Sequence, residues 1–442
     1  MLRGSIGFRA RRELRITAVE EEILSRRNCL RETINAGKTQ MSEAIGVYIS
    51  VPFCKAKCSF CNFASDVFGA ERMQHYVDRL CAEMRGMRAT ANTLGAALSE
   101  AGAGAADSVY FGGGTPSLLS AGQFSRIFDC LRGEFDLAAN AEITLECAPG
   151  QLADETLEEL LRQGMNRISF GVQSFVDEES AAVGRLHTRR QCREEIARIR
   201  TAGVREISLD LIAGLPHQTE ASWRFSVEQA IASSTPHVSV YMLEVDEESR
   251  LGREMLRKGS RYHADAVPSE DAAAEWYEQA CEALNAAGVR QYEISNFARD
   301  GNRSRHNLKY WRRQPYIGFG LDAHSMLRTE TGAVRFANTD DLEAYLGGPF
   351  APRVATPEVE VIGREQAFEE SLFLGLRLNE GVELDGLRSE FGAAMVQDVM
   401  PSLLEIEEAG LIEMRDGSVR LTARGRVVSN EVFSRLLVEA AA

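Results

Sequence analysis

Between residues 46 and 243, short apolar runs alternate with longer stretches in which apolar residues recur every three or four positions. The runs fall at 46–50, 108–111, 142–146, 167–171, 206–211 and 238–243. They are rich in β-branched residues, as parallel strands buried on both faces should be. Amphipathic helical patterns fill the gaps, for example at 72–91, 156–163 and 190–202. Six strands with intervening helices predict an α/β fold, a partial parallel (β/α)6 barrel. From about residue 357 the pattern changes. Helical periodicity covers 365–378, 384–391 and 396–409, and two short strand-like runs at 411–414 and 419–421 flank Asp416-Gly417. An Asp-Gly turn between short strands, after helices, predicts a C-terminal, mainly helical, winged-helix-like domain, closed by a helix at 428–440. The expected division is a barrel core at 41–250, an extension of it at 251–356 and the C-terminal domain at 357–442.

Composition narrows the function. The 442 residues carry a formal charge of −15, with 44% hydrophobic and 26% charged residues. That is the mix of a globular chain, and its acidity argues against wrapping a nucleic-acid backbone. The C-terminal domain has few clustered basic residues, so a protein contact or a lid is expected of it rather than DNA binding. No run of ~18 apolar residues predicts a transmembrane helix. Residues 1–40 stand apart: they are net basic, lack the apolar core of a secretory signal and include Glu20, Glu21 and Glu22. Met41 directly precedes the first strand pattern, so 1–40 is expected to be a disordered or spurious extension, with Met41 as the natural start.

Chemistry concentrates at the strand ends. Cys54, Cys58 and Cys61 form a C-x3-C-x2-C loop after the first strand. Three thiolates on a short loop can hold three corners of a four-iron cluster and leave one iron free. A structural zinc site would want four ligands, usually in two pairs, and the remaining six cysteines are isolated. Three buried structural cysteines are the plain alternative, against which Pro52, Lys55 and Lys57 mark the segment as a loop. An oxygen-labile cluster predicts a reducing, cytoplasmic setting. Gly112-Gly113-Gly114-Thr115-Pro116 follows the second strand, and Glu146 ends the third. Gln173 follows the fourth, Asp210 ends the fifth, and Tyr241 and Glu244 end the sixth. The C-terminal strand ends are where β/α barrels build their sites. The glycine run is not a P-loop, since no Gly-Lys-Ser/Thr follows; it suits close backbone approach to a polar ligand.

The cysteine spacing followed by Gly-Gly-Gly-Thr-Pro resembles the radical S-adenosylmethionine superfamily. Tyr48-Ile49-x-Val51-Pro52-Phe53-Cys54, Gly171-Val172-Gln173-Ser174-Phe175, Asp210-Leu211-Ile212-x-Gly214-Leu215-Pro216 and Leu421-Thr422-x-x-Gly425 resemble, more narrowly, the anaerobic coproporphyrinogen III oxidase family. His306-Asn307-Leu308-Lys309-Tyr310-Trp311 resembles the H-N-x-x-Y-W element of HemW-type heme chaperones. The likeness runs from about residue 45 to 435. It implies a 4Fe–4S cluster on Cys54, Cys58 and Cys61, whose fourth iron is chelated by S-adenosylmethionine. It further implies Tyr48 and Phe60 near the adenine and Gly113, Gly114 and Thr115 at the methionine end. Glu146 and Arg185 would meet the charged groups, and Gln173 and Asp210 the ribose.

Two departures separate this chain from the oxidases. Asn62 and Phe63 follow Cys61, where the oxidases carry a further Cys-x-Cys cysteine, and Ser50 stands where the family usually has His. Ser has no group titrating near neutrality, so a proton-donor role there is lost. For heme, His306 is the expected axial ligand and Tyr310 and Trp311 the flat contacts. Arg303, Arg305, Arg312 and Arg313 are the cations expected for the propionates. His324 is a second candidate, whereas His187 and His217 read as ordinary barrel-loop residues. The expected function is therefore a heme chaperone that transfers heme to an acceptor protein of unknown identity, as monomer or dimer. The alternative is oxygen-independent coproporphyrinogen III oxidation by a radical mechanism, and, more weakly, radical chemistry on another tetrapyrrole.

Overall fold

The computed structural model describes residues 43–96, 98, 103–347 and 359–437. The expectations for 1–40 and Met41 lie outside these residues. Six parallel strands form the centre of one large sheet: β1 (Ile45–Val51), β2 (Ala103–Gly113), β3 (Phe135–Cys147), β4 (Arg167–Gln173), β5 (Glu206–Ala213) and β6 (His237–Met242). They pair in sequence order, so each helix crosses back over the sheet as the barrel pattern requires. Their burial is nearly continuous, as in β1, whose only partly exposed residue is Tyr48. The α/β fold expected from the sequence is the fold observed.

The helices start where side chains can cap them. Ser120 with Gln123, and Thr188 with Gln191, form capping boxes on the helices Ala121–Glu134 and Arg189–Thr201. Phe124, Ile127, Phe128 and Leu131 then bury one stripe of the first of these helices against the sheet.

The sheet is larger than the six expected strands. β7 (Arg290–Gln291) and β8 (Asn296–Ala298) run antiparallel beyond β6. On the other flank, β9 (Tyr316–Phe319) pairs parallel to β1, and β10 (His324–Thr329), β11 (Gly332–Ala337) and β12 (Val359–Ile362) continue antiparallel. These strands are short, two to six residues each, which hides them from periodicity. β2 and β3 also begin earlier than their apolar runs, because Ala103 pairs with Phe135 and Ala106 with Leu137 in a stretch of low strand propensity.

The last segment folds on a second hydrophobic cluster. Helices Arg364–Leu376, Leu384–Phe391 and Ala393–Glu408 pack with a three-stranded sheet of β13 (Val382–Glu383), β14 (Ile412–Arg415) and β15 (Ser418–Leu421). Asp416 and Gly417 both take positive φ, 52° and 80°, the geometry a tight hairpin turn requires. The final stretch is not one long helix but two short ones, Ala423–Val427 and Ser429–Ser434.

Candidate functional site

At the end of β1 the chain turns through Pro52 and Phe53 into the cysteine loop. The loop is clasped at its base, where Cys54 N–H donates to the Asp66 carbonyl and Asp66 N–H to that of Pro52, both at 3.0 Å. Its middle is held from two sides: Ser59 N–H donates to the Val183 carbonyl at 3.1 Å, and Leu251 N–H to the Ser59 carbonyl at 2.8 Å. Cys58 is buried, Cys54 and Cys61 are half-buried, and all three are free thiols. Burial raises the pKa of the Cys54 and Cys61 thiols. At Cys54 the Thr115 hydroxyl, 3.7 Å from its Sγ, and the Arg185 charge work the other way and favour thiolate; Arg185 also lies 3.6 Å from Cys58 Sγ. Among the described residues no three His, Cys, Asp or Glu side chains are grouped to hold a single metal ion. Three thiols spread around a clasped loop suit a cluster, in which each binds a different iron.

The end of β2 lies directly on this loop. Gly114 N–H donates to the Val51 carbonyl and Thr115 N–H to that of Phe53, both at 2.8 Å. A Cβ at Gly114 would lie 2.7 Å from the Val51 oxygen and 2.9 Å from the Phe53 oxygen, so the approach is open only to glycine.

Further round, the strand ends supply acceptors. Glu146 accepts a 2.8 Å bond from the Tyr110 hydroxyl, and burial pushes its pKa up to about 7. Asp210 accepts from the Ser169 hydroxyl at 3.1 and 3.2 Å, and burial pushes it up to about 6. A register shift between Gly171 and Gln173 bulges β4, and Gln173 adopts a left-handed φ of 68°. Its Oε1 is buried with no hydrogen-bond partner, an acceptor that a ligand hydroxyl would satisfy. Arg185 donates to the Gly171 carbonyl across the space left by the missing Gly171 side chain.

All of these groups face one cavity of about 940 Å³. Its wall holds Cys54, Cys58, Phe60, Cys61, Gly113, Gly114, Thr115, Glu146, Gln173, Arg185, Asp210 and Trp311. Tyr48, His306 and Tyr310 are not on it. The helix Arg305–Trp311 sits inside the curved sheet, where Glu142 of β3 accepts from the N–H groups of Arg305 (3.1 Å) and His306 (3.0 Å) and from the Ser304 hydroxyl (3.4 Å). His306 is buried, with Nδ1 3.0 Å from the Ser108 hydroxyl and Nε2 2.9 Å from that of Tyr310. Burial drops its pKa to about 3, so the ring is neutral.

That arrangement places the expected heme contacts on two sides of the helix. Both ring nitrogens of His306 are engaged, by the Ser108 and Tyr310 hydroxyls, and of the three residues only Trp311, on another face of the helix, lies on the cavity wall. Tyr48 is a partner inside the sheet, its ring 6.1 Å from that of Tyr110 and 6.4 Å from that of His306. His324 is exposed on β10, 3.8 Å from Asp322, and off the cavity. The four arginines are also committed elsewhere. Arg303 and Arg312 pair with Glu380 at 3.5 and 2.8 Å, Arg313 with Glu370 at 2.8 Å, and Arg305 with the Asn140 carbonyl. Sequence reading missed Tyr110 and Ser169, which hold the two carboxylates; their inward alternation with Gly112 and Gly171 was the available signal.

Comparison with known proteins fits this geometry. A model of the radical SAM superfamily matches residues 48–230, and one of the HemN C-terminal domain matches 362–428. The coproporphyrinogen III oxidase HemN from Escherichia coli superposes with a TM-score of 0.74 at 21% identity, covering 89% of this chain and 90% of that one. The heme chaperone HemW of Bacillus subtilis is 33% identical over 394 residues, 89% of this chain and 99% of its own length. The chain belongs to the HemW family. HemW of Escherichia coli is 31% identical over 89% of this chain and 98% of its own length. As a radical SAM fold, a HemW-family chain implies a 4Fe–4S cluster and S-adenosylmethionine, and the donors on the cavity wall fit both.

Were Glu146 and Asp210 the carboxylates that meet the cofactor, its binding would be pH-dependent. An ammonium or hydroxyl is bound best by carboxylate, and below its folded pKa each carboxyl must first lose a proton. Affinity for S-adenosylmethionine should therefore fall as pH drops below about 7 and again below about 6. Calorimetry on anaerobically reconstituted protein should lose the upper step in Glu146→Gln. Constant affinity between about pH 5 and 7.5 would contradict the assignment.

Proposed function

We propose that this chain binds heme, together with a 4Fe–4S cluster and S-adenosylmethionine, and hands the heme to an acceptor protein. The observation that carries the reading is the single cavity in which three thiols, two carboxylates and Trp311 face the same space. S-adenosylmethionine is held by Gly113, Gly114 and Thr115 at its methionine end, by Glu146 and Arg185 at its charges and by Gln173 and Asp210 at its ribose. Phe60 lies against the adenine. When bound, the cluster supplies one-electron chemistry and a free iron for chelation. The protein's part is to present thiolates on a clasped loop and to hold acceptors for the cofactor. The relatives named heme chaperone, together with Asn62 and Ser50 in place of the oxidase residues, favour carriage over porphyrinogen oxidation. Among the described residues no helix is long and apolar enough to cross a membrane. We place the protein in the cytoplasm on the cluster's need for a reducing compartment.

The test is a heme titration of the reconstituted full chain beside an anaerobic coproporphyrinogen assay. Stoichiometric heme binding without protoporphyrinogen formation is the expected result. Product formation, or no heme uptake, would overturn the reading.

A further inference from the structure

The cavity is lined on one side by the cysteine loop and on another by residues the barrel motifs never touch. Tyr277, Ile294 and Ser295 come from the extension, Arg377 from the loop after helix Arg364–Leu376, and Arg426 from the C-terminal helix pair. Arg377 lies over the Trp311 ring, 4.2 Å from guanidinium carbon to ring centroid. Its nearest carboxylate, on the fully buried Glu293, is 3.8 Å away, and its Nε is buried without an acceptor. Trp311 Nε1–H is likewise buried and unpartnered. Arg426 donates to the Leu421 carbonyl at 3.1 Å, and no carboxylate lies within ion-pair distance of it among the described residues. Its charge is felt by the Tyr277 hydroxyl and the Cys281 thiol. Glu431, the carboxylate nearest in sequence on the same wall, is taken by Arg435 at 2.7 Å.

A buried N–H costs free energy when it has no acceptor, and a guanidinium fork matches the two oxygens of a carboxylate. Here two guanidinium groups and an indole N–H face one wall of a space already able to hold a cofactor. The four arginines next to His306 in sequence are spent in internal pairs. We propose that Arg377 and Arg426 form a carboxylate-binding subsite beside Trp311 that takes the propionates of a tetrapyrrole. This deepens the heme-binding reading and rests on it. The ligand class is a flat apolar body with at least one free carboxylate, which heme satisfies and its dimethyl ester does not.

The decisive measurement uses the unaltered chain. Heme and heme dimethyl ester are titrated separately into the reconstituted full-length protein and followed by the Soret band. Heme is expected to bind at least ~10-fold more tightly than the ester, one charge-assisted hydrogen bond being worth about that factor. Arg377→Gln and Arg426→Gln should each weaken heme binding by ~10-fold while leaving ester binding unchanged, and Arg377→Lys should recover part of the loss. Unchanged S-adenosylmethionine affinity and far-ultraviolet spectra show that the variants are folded. Equal affinity for heme and ester in the unaltered chain overturns the subsite but leaves heme binding intact. Failure to bind either ligand sinks the underlying reading instead.

Discussion

Cys58→Ala should reduce the iron content of anaerobically reconstituted protein from about four per chain to background, with loss of the broad visible absorption. Cys58 is the buried member of the three, and its sulfur is the one approached by Arg185. Its removal leaves two half-buried thiols, too few to hold three irons. The backbone should survive. The clasps at Cys54–Asp66 and Ser59–Val183 are main-chain bonds that do not involve the side chain, and Arg185 keeps its bond to the Gly171 carbonyl. Circular dichroism and iron analysis on the same sample check both halves. A variant with a full iron complement would mean that another residue completes the cluster.

Glu142→Ala should be the most damaging single change to stability outside the hydrophobic core. Its carboxylate receives two backbone N–H groups and the Ser304 hydroxyl at the start of helix Arg305–Trp311, and Arg167 stands 3.8 Å away. Arg167 is itself buried, with a second carboxylate, Glu206, at 3.4 Å. Truncation removes the acceptor of the Arg305 and His306 N–H groups, leaving only the Ser304 hydroxyl on Asn307 N–H as a side-chain cap, and leaves a buried guanidinium underpaired. Urea unfolding should register a loss of ~3–5 kcal/mol, the range for breaking a buried charge pair. Glu142→Gln keeps one acceptor oxygen and should lose about half as much. Equal stability of Glu142→Ala and the unaltered chain would show that the helix is held by packing alone.

The cluster and strand-end residues that line the cavity were legible because they are written in short segments. Each strand end brings its own neighbours, so Cys54–Cys61, Gly113–Thr115, Glu146, Gln173 and Asp210 could be assembled once the strands were found. The histidine element divides for a geometric reason. His306 and Tyr310 are four residues apart and share a helix face, while Trp311 is turned by 100° to another. Adjacency in sequence made them look like one set, yet the sheet takes the first two and the cavity only the third. Arg377 and Arg426 gave no sign at all. They reach the wall from a part of the chain with its own hydrophobic cluster, and such long-range placement leaves no periodic trace.

That wall has a bearing on how a carrier gives up its load. Residues 426–431 lie on two helices of five and six residues, Ala423–Val427 and Ser429–Ser434, with Val428 between them 40% exposed. Helices so short have little stability of their own and hold only while docked. The central strands are paired on both sides along the sheet, whereas this tail is held by the packing of Val427, Val432 and Leu436 on the two hydrophobic clusters. Opening of the cavity on this side is then expected to be a local fraying event, which an acceptor competing for the tail would favour.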